Sequence, residues 1–215
     1  MADHVSDPVI RRLPAYYRHL WELDREGKVQ ISSQELGERM QLTPSQVRQD
    51  INSFGGIGRQ GYGYPVKELK EHVRKVIGLD RTQPMIIVGA GRIGGAVVDY
   101  FAFAREAFPT LAMFDRDPAS APKTERPVPV YPVDDLEKLV PELKPKIAVL
   151  AVPAYEAQTM LDRLYALGIR AVWNFASLYL HYPPDMMVQS VHLADSLAIL
   201  SYRIGQREAE EGRAE

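Results

Sequence analysis

The sequence predicts an α/β protein: an N-terminal winged helix-turn-helix domain, then a Rossmann-type doubly wound parallel sheet, then a C-terminal helix. Three observations predict it. An apolar run, Met85–Val88, leads into the glycine turn Gly89-Ala-Gly-Arg-Ile-Gly94, the strand–turn–helix order of a dinucleotide fold. A second apolar run, Leu111–Phe114, ends in Asp115, 21 residues beyond Gly94. That is near the spacing of the acid that binds an adenosine ribose. Upstream, two short segments each open with a helix cap and a glycine-rich stretch follows, as in a helix-turn-helix with a wing.

Taken in order, Ile10, Leu13, Tyr17, Leu20 and Leu23 recur at helical spacing and predict a first helix ending near Gly27. Pro14 falls inside that pattern and is expected in the first turn, where its missing N–H costs little. Ser32-Ser-Gln-Glu35 and Thr43-Pro-Ser-Gln46 each have the form of a capping box. There a hydroxyl and a side chain three residues on satisfy each other's orphan N–H groups. The second helix carries Leu36 and Met40; the third buries Val47 and Ile51. The third is the expected recognition helix, with Ser45, Gln46, Arg48, Gln49 and Asn52 left for DNA. Five glycines within Phe54–Tyr64 suit a β-hairpin wing. Arg59 and the backbone at Gly61 would reach phosphate or minor groove. Val66, Leu69, Val73, Val76 and Ile77 mark a helix closed by Gly78, and residues 79–84 make a linker.

In the glycine turn, the first glycine permits the sharp bend and the second lets backbone approach a pyrophosphate. The third lets helix and strand close on each other. The helix start adds free N–H groups and a positive dipole end. Val97, Val98 and Phe101 form that helix's apolar side. A proline-rich loop then runs from Pro118 to Pro129. A short strand is expected over 128–131 and a short helix over 134–140, with Asp134-Asp135 as its N-cap pair. The run 147–153 is the next buried strand, its end facing the crevice of the glycine turn. A helix over 154–167 stops at Gly168, a strand covers 169–175, and a last strand is possible over 187–191. Leu193, Leu197, Leu200 and Ile204 share one face of a terminal helix, and the charged tail from Arg207 is expected to fray.

Composition narrows the function classes. The chain has 215 residues, enough for one large domain or two small ones. It holds no run of 18 apolar residues and no signal-like apolar stretch, so a cytoplasmic protein outside the membrane is expected. Without cysteine there are no disulfides, thiolate metal sites or cysteine nucleophiles. The five histidines show no metal-type spacing, so no metal is expected. The net charge of −2 divides into +2 over residues 1–83 and −4 over 84–215, which permits DNA binding by the first part. No Ser-His-Asp order or nucleophile elbow is visible. A nucleotide fold without a catalytic set, beside a domain that resembles a DNA reader, points to a sensor rather than an enzyme. The alternative is a small NAD-dependent oxidoreductase with His181 or His192 as proton donor. Asp115 favours a free ribose 2′-hydroxyl, and so NADH and NAD⁺ over their 2′-phosphates. Arg116 beside it leaves the other possibility open, since a nearby arginine can accept the phosphate.

These motifs together resemble the Rex family of redox-sensing transcriptional repressors of bacteria. The resemblance runs from about Arg11 to Leu200. It is carried by Arg12-Leu-Pro-x-Tyr-Tyr-Arg18, Ile31-Ser-Ser-x-x-Leu36, Val47-Arg-x-Asp50 and Phe54-Gly-x-x-Gly-x-x-Gly-x-Gly-Tyr64. Further on come Gly89-x-Gly-x-x-Gly94, Phe114-Asp-x-Asp-Pro118, Val152-Pro153 and Asn174-Phe-Ala176. The resemblance implies a homodimer whose last helix is exchanged between subunits, bound to an inverted-repeat operator in double-stranded DNA. NADH binding would close the dimer and release the operator, derepressing genes for respiration and NADH reoxidation. The implied cofactor set is Gly89, Ala90, Gly91, Arg92, Ile93, Gly94, Asp115, Arg116, Val152, Pro153, Asn174 and Phe175, with Tyr100 near the nicotinamide. The implied domains are 1–79 for DNA, 80–190 for NAD(H) and 191–215 for dimerisation.

The chain departs from the family pattern at three places. Gln60 stands where Arg or Lys is common before a wing glycine. Asn52-Ser-Phe-Gly55 replaces Ser-Tyr-Phe-Gly. Ser190-Val-His192 replaces Asn-Val-Asp, whose aspartate is linked in the family's redox switch to an arginine matching Arg18. With His192 there, the usual ion pair is lost and Asp195 is the candidate substitute.

Overall fold

The computed structural model describes residues 5–55, 63–100 and 106–212; Arg59, Gln60 and Gly61 of the expected wing, and Phe101, lie outside them. The chain forms two compact units, Met1–Thr82 and Gln83–Glu215.

The first unit contains α1 (Asp7–Arg25), β1 (Gln30–Ile31), α2 (Ser33–Met40), α3 (Pro44–Ser53), β2 (Tyr64–Pro65) and α4 (Val66–Val76). Helix α1 buries Val9, Leu13, Tyr16, Tyr17, Leu20 and Leu23. The expected stripe therefore holds except at its start, where Ile10 is 48 % exposed and Val9 is inside. The expectation for Pro14 is corrected as well: Pro8 takes the first turn and Pro14 lies inside the helix. Its missing N–H removes the helix bond to the carbonyl of Ile10, an exposed residue. The helix ends two residues before Gly27, whose φ is 75°.

Both helix caps form, but only by half. Ser32 Oγ accepts from Glu35 N–H and Thr43 Oγ1 from Gln46 N–H, each at 3.1 Å. The reciprocal side chains go elsewhere. Glu35 receives Lys28 at 2.6 Å, and Gln46 donates to Asp50 at 3.0 Å. Strands β1 and β2, too short for any periodicity, pair antiparallel.

The second unit is a six-stranded parallel sheet in the order β5-β4-β3-β6-β7-β8. Its strands are β3 (Met85–Val88), β4 (Thr110–Asp115), β5 (Val130–Pro132), β6 (Ile147–Leu150), β7 (Ala171–Asn174) and β8 (Met187–Ser190). The order reverses between β3 and β6, which opens a crevice at the carboxyl ends of those strands. Alternate residues of β3 serve two cores. Ile86 and Val88 pack with residues of α6 (Leu136–Leu143) and α7 (Ala154–Ala166). Met85 and Ile87 pack with Val97 and Val98 of α5 (Arg92–Tyr100).

Three further expectations change. Asp135 is at the N-cap of α6 but its side chain makes no cap hydrogen bond, because a 3₁₀ turn over Val133–Asp135 already feeds the helix. The loop after β4 contains a 3₁₀ turn, Pro118–Ser120. Helix α8 (Leu193–Glu211) continues through the charged stretch expected to fray, helped by an Arg207–Glu211 pair at 2.8 Å one turn apart.

Candidate functional site

The glycine turn stands at the switch point of the sheet. Gly89 has φ 101°, reserved in practice for glycine, and a Cβ there would strike the Ala151 carbonyl. A Cβ on Gly94 would strike the Gly89 carbonyl, so this glycine lets α5 close on the turn. A Cβ on Gly91 would meet nothing within 4 Å: its open side faces solvent and the groove. The three glycines thus do the three jobs that a bound pyrophosphate requires. The first N–H groups of α5 have no partner within the helix, and the groove lies at that end.

The groove has a volume of about 890 Å³. Of the residues expected to bind cofactor, Gly89, Gly91, Arg92, Ile93, Asp115, Arg116, Val152 and Pro153 line it. Asp115 closes β4 and locks the turn in place. Its Oδ2 accepts from Ala90 N–H at 2.6 Å and its Oδ1 from Asp117 N–H at 3.0 Å. Arg116 reaches across to α7, where its guanidinium meets the Glu156 carboxylate and lies 3.4 Å from the Tyr155 hydroxyl. The Tyr155 hydroxyl first, and the Glu156 charge second, raise its pKa further.

Other expected residues lie elsewhere. Ala90 is buried behind the turn. Asn174 is fully buried and spends its amide on Ala176 and Ser190, holding the end of β7 to β8. Phe175 packs edge-on against Trp173, ring centres 4.5 Å apart, in an apolar recess that also includes Ile93. The side chain of Tyr100 is outside the described residues. His192 stands at the N-cap position of α8, its side chain making no cap hydrogen bond, and shares a small recess with Asp195, Ser177, Leu178 and Tyr179. Arg18 is exposed on α1 of the first unit. Among the described residues no histidine lines the groove, His181 and His192 included. Nor does any group of three His, Asp or Glu suit a metal.

In the first unit, Ser45, Arg48, Gln49 and Asn52 are exposed on α3, and Arg48 bonds Ser33 Oγ at 3.1 Å. Gln46 is half-buried and turned inward. What holds α3 is a residue that apolar periodicity cannot reveal. Asp50, 0 % exposed, accepts both arms of the Arg12 fork at 2.7 Å, the Tyr16 hydroxyl at 3.0 Å and Gln46 Nε2 at 3.0 Å. Burial alone would raise its pKa, but the hydrogen bonds from Arg12, Gln46 and Tyr16 hold it below the ordinary carboxylate value. Burial also raises the Tyr16 phenol.

Comparison with known proteins gives these features a family. Residues 4–52 match the family described as "Putative DNA-binding protein N-terminus", and residues 80–178 match the CoA binding domain. The chain is 44 % identical over 204 residues to the redox-sensing transcriptional repressor Rex of Thermoanaerobacter sp. (strain X514), covering 95 % of this chain and 91 % of that protein. The chain belongs to the Rex family. Rex of Caldicellulosiruptor bescii is 41 % identical over 210 residues, 98 % of this chain and 97 % of its own. Two solved Rex-family structures agree in fold. RSP in complex with NAD⁺ and operator DNA has a TM-score of 0.85 at 43 % identity, covering 98 % of this chain and 97 % of its own. RSP in complex with NADH has 0.86 at 41 %, covering 98 % and 99 %.

Proposed function

We propose that this chain is a DNA-binding repressor governed by the NADH/NAD⁺ ratio. One observation carries the reading: a chain with a capped helix pair also holds a complete dinucleotide turn at its sheet's switch point. The relatives named above support it, among them RSP, solved both with NAD⁺ and operator DNA and with NADH. Asp115 receives the adenosine ribose, the N–H groups at the head of α5 receive the pyrophosphate, and Ile93, Trp173 and Phe175 offer an apolar surface to the nicotinamide end. Ser45, Arg48, Gln49 and Asn52 of α3 meet the operator, with Gln46 behind them as part of the Asp50 cluster. The protein works as a homodimer on an inverted repeat. Support for the dimer comes from α8, whose Leu193, Leu197, Leu200 and Ile204 are left 50–68 % exposed by the described residues of one chain. NADH binding releases the DNA and derepresses genes for respiration and NADH reoxidation.

The oxidoreductase reading would need a proton donor beside the nicotinamide, and among the described residues no histidine lines the recess of Ile93, Trp173 and Phe175. The membrane plays no part in the proposal; no described helix is long and apolar enough to cross one. The test is operator binding by fluorescence anisotropy on inverted-repeat DNA at fixed salt, titrated with NADH and separately with NAD⁺. Release by NADH at concentrations where NAD⁺ does little is the expected result. Tight binding indifferent to both dinucleotides would overturn the sensor reading. Absence of specific DNA binding would overturn the repressor reading.

A further inference from the structure

The groove is lined by three carboxylates, Asp115, Asp134 and Glu156, and by three arginines, Arg92, Arg116 and Arg163. Arg92 stands at the head of α5, in the glycine turn. The other two are committed. Arg163 is held by Glu137 through two bonds of 2.8 and 2.9 Å. Arg116, the residue next to the ribose acid, is held by Glu156 from the opposite wall. Its side chain is 64 % exposed, so packing does not fix it; the carboxylate does. Tyr155, 78 % exposed, extends the same contact.

An arginine beside the ribose acid is the feature that lets a dinucleotide fold accept a 2′-phosphate. This chain has that arginine, and the fold supplies a carboxylate that occupies it. We propose that Glu156 is a positioning residue for cofactor selection: by pairing with Arg116 it withholds the guanidinium next to the ribose acid, where a 2′-phosphate would lie, and so turns the site against NADP(H). The inference rests on the proposed dinucleotide site. Asp115 acts on the same phosphate directly, as like charge against like charge. Glu156 acts through Arg116, so the two contributions can be separated.

The test uses the full-length chain and direct binding of NADH and NADPH, followed by nucleotide fluorescence in the absence of DNA. The quantity read is the ratio of the NADPH to the NADH dissociation constant. Glu156→Gln keeps the size of the side chain and removes its charge. The expected result is that the ratio falls about tenfold, about 1.4 kcal/mol, because one charge-assisted contact to phosphate becomes available. Glu156→Gln combined with Arg116→Ala should restore the wild-type ratio or exceed it. A ratio unmoved by Glu156→Gln, with NADH still bound by the wild-type protein, overturns the inference and leaves the dinucleotide site standing. A ratio that falls equally in the double variant overturns the route through Arg116. Failure of the wild-type protein to bind either dinucleotide overturns both the site and the inference.

Discussion

Replacing Asp50 by asparagine should unseat the recognition helix. The carboxylate has no solvent exposure and takes four donors. Oδ2 serves Arg12 Nε and Tyr16 Oη; Oδ1 serves Arg12 Nη2 and Gln46 Nε2. Asparagine keeps one oxygen and turns the other into a donor: with the amide nitrogen in the Oδ1 place two of the four bonds become donor against donor, and in the Oδ2 place one does, the Tyr16 hydroxyl turning to accept. Hydrogen bonds to a charged group are worth about 1.5–3 kcal/mol each, and breaking one side of a buried ion pair costs about 3–5 kcal/mol. The broken pair sets the larger loss, about 3–5 kcal/mol, a large share of the roughly 5–15 kcal/mol that holds a domain together. The chain contains two tryptophans. Trp21 lies on α1 of the first unit and Trp173 on β7 of the second. In a urea melt of the full chain, the Trp21 transition should move down by roughly 2 M, taking a slope of about 2 kcal/mol per M, while the Trp173 transition keeps its midpoint. Operator binding should fall with the first and NADH binding stay with the second. A Trp21 midpoint displaced by less than about 0.5 M would refute the reasoning, because it would mean the buried carboxylate contributes no more than a surface ion pair.

The same carboxylate predicts an acid response. Its folded pKa lies below the ordinary value, so its contribution is complete above about pH 4 and is lost as the pH falls through the folded value. The wild-type first unit should therefore lose stability on acidification below pH 4 more steeply than Asp50→Asn, in urea midpoints taken from pH 5 to pH 2.5; parallel slopes would refute the assignment. Gly94→Ala should weaken NADH binding at least tenfold in the fluorescence titration, since the new methyl strikes the Gly89 carbonyl and must push α5 off the turn. Unchanged affinity would mean the turn has slack. Leu197→Glu with Leu200→Glu should convert the proposed dimer to monomer in sedimentation at micromolar protein, with the sheet intact by circular dichroism. A persisting dimer would locate the interface away from α8.

Much of this fold was legible because its signals are local. Met85–Val88 reads as a covered strand since both faces of β3 are buried, and Gly89 and Gly94 sit where no other residue fits. The caps at Ser32 and Thr43 act over three residues. What stayed hidden depends on residues far apart in sequence. Asp50 looks like another polar position on an amphipathic helix until Arg12, 38 residues earlier, reaches it. Glu156 looks like a first-turn acid of α7, and only folding brings it to Arg116, 40 residues away. Ile10 and Val9 exchanged places because helical spacing alone does not fix the phase of a stripe at its first turn. Asn174 has a sequence position fit for ligand contact, yet the turn after β7 consumes its polar atoms.

The central strand has a mechanical meaning. β3 is four residues long, each buried to within 2 % of completely, and spans roughly 13 Å at about 3.3 Å per residue. Its far end is the glycine turn. Its near end is Pro84, whose carbonyl accepts from Lys146 N–H at 2.7 Å and so ties the end of the linker to the neighbouring strand. Between the place that would grip a phosphate and the segment that leads to the helix pair there is thus a short stiff strut with no loop in series.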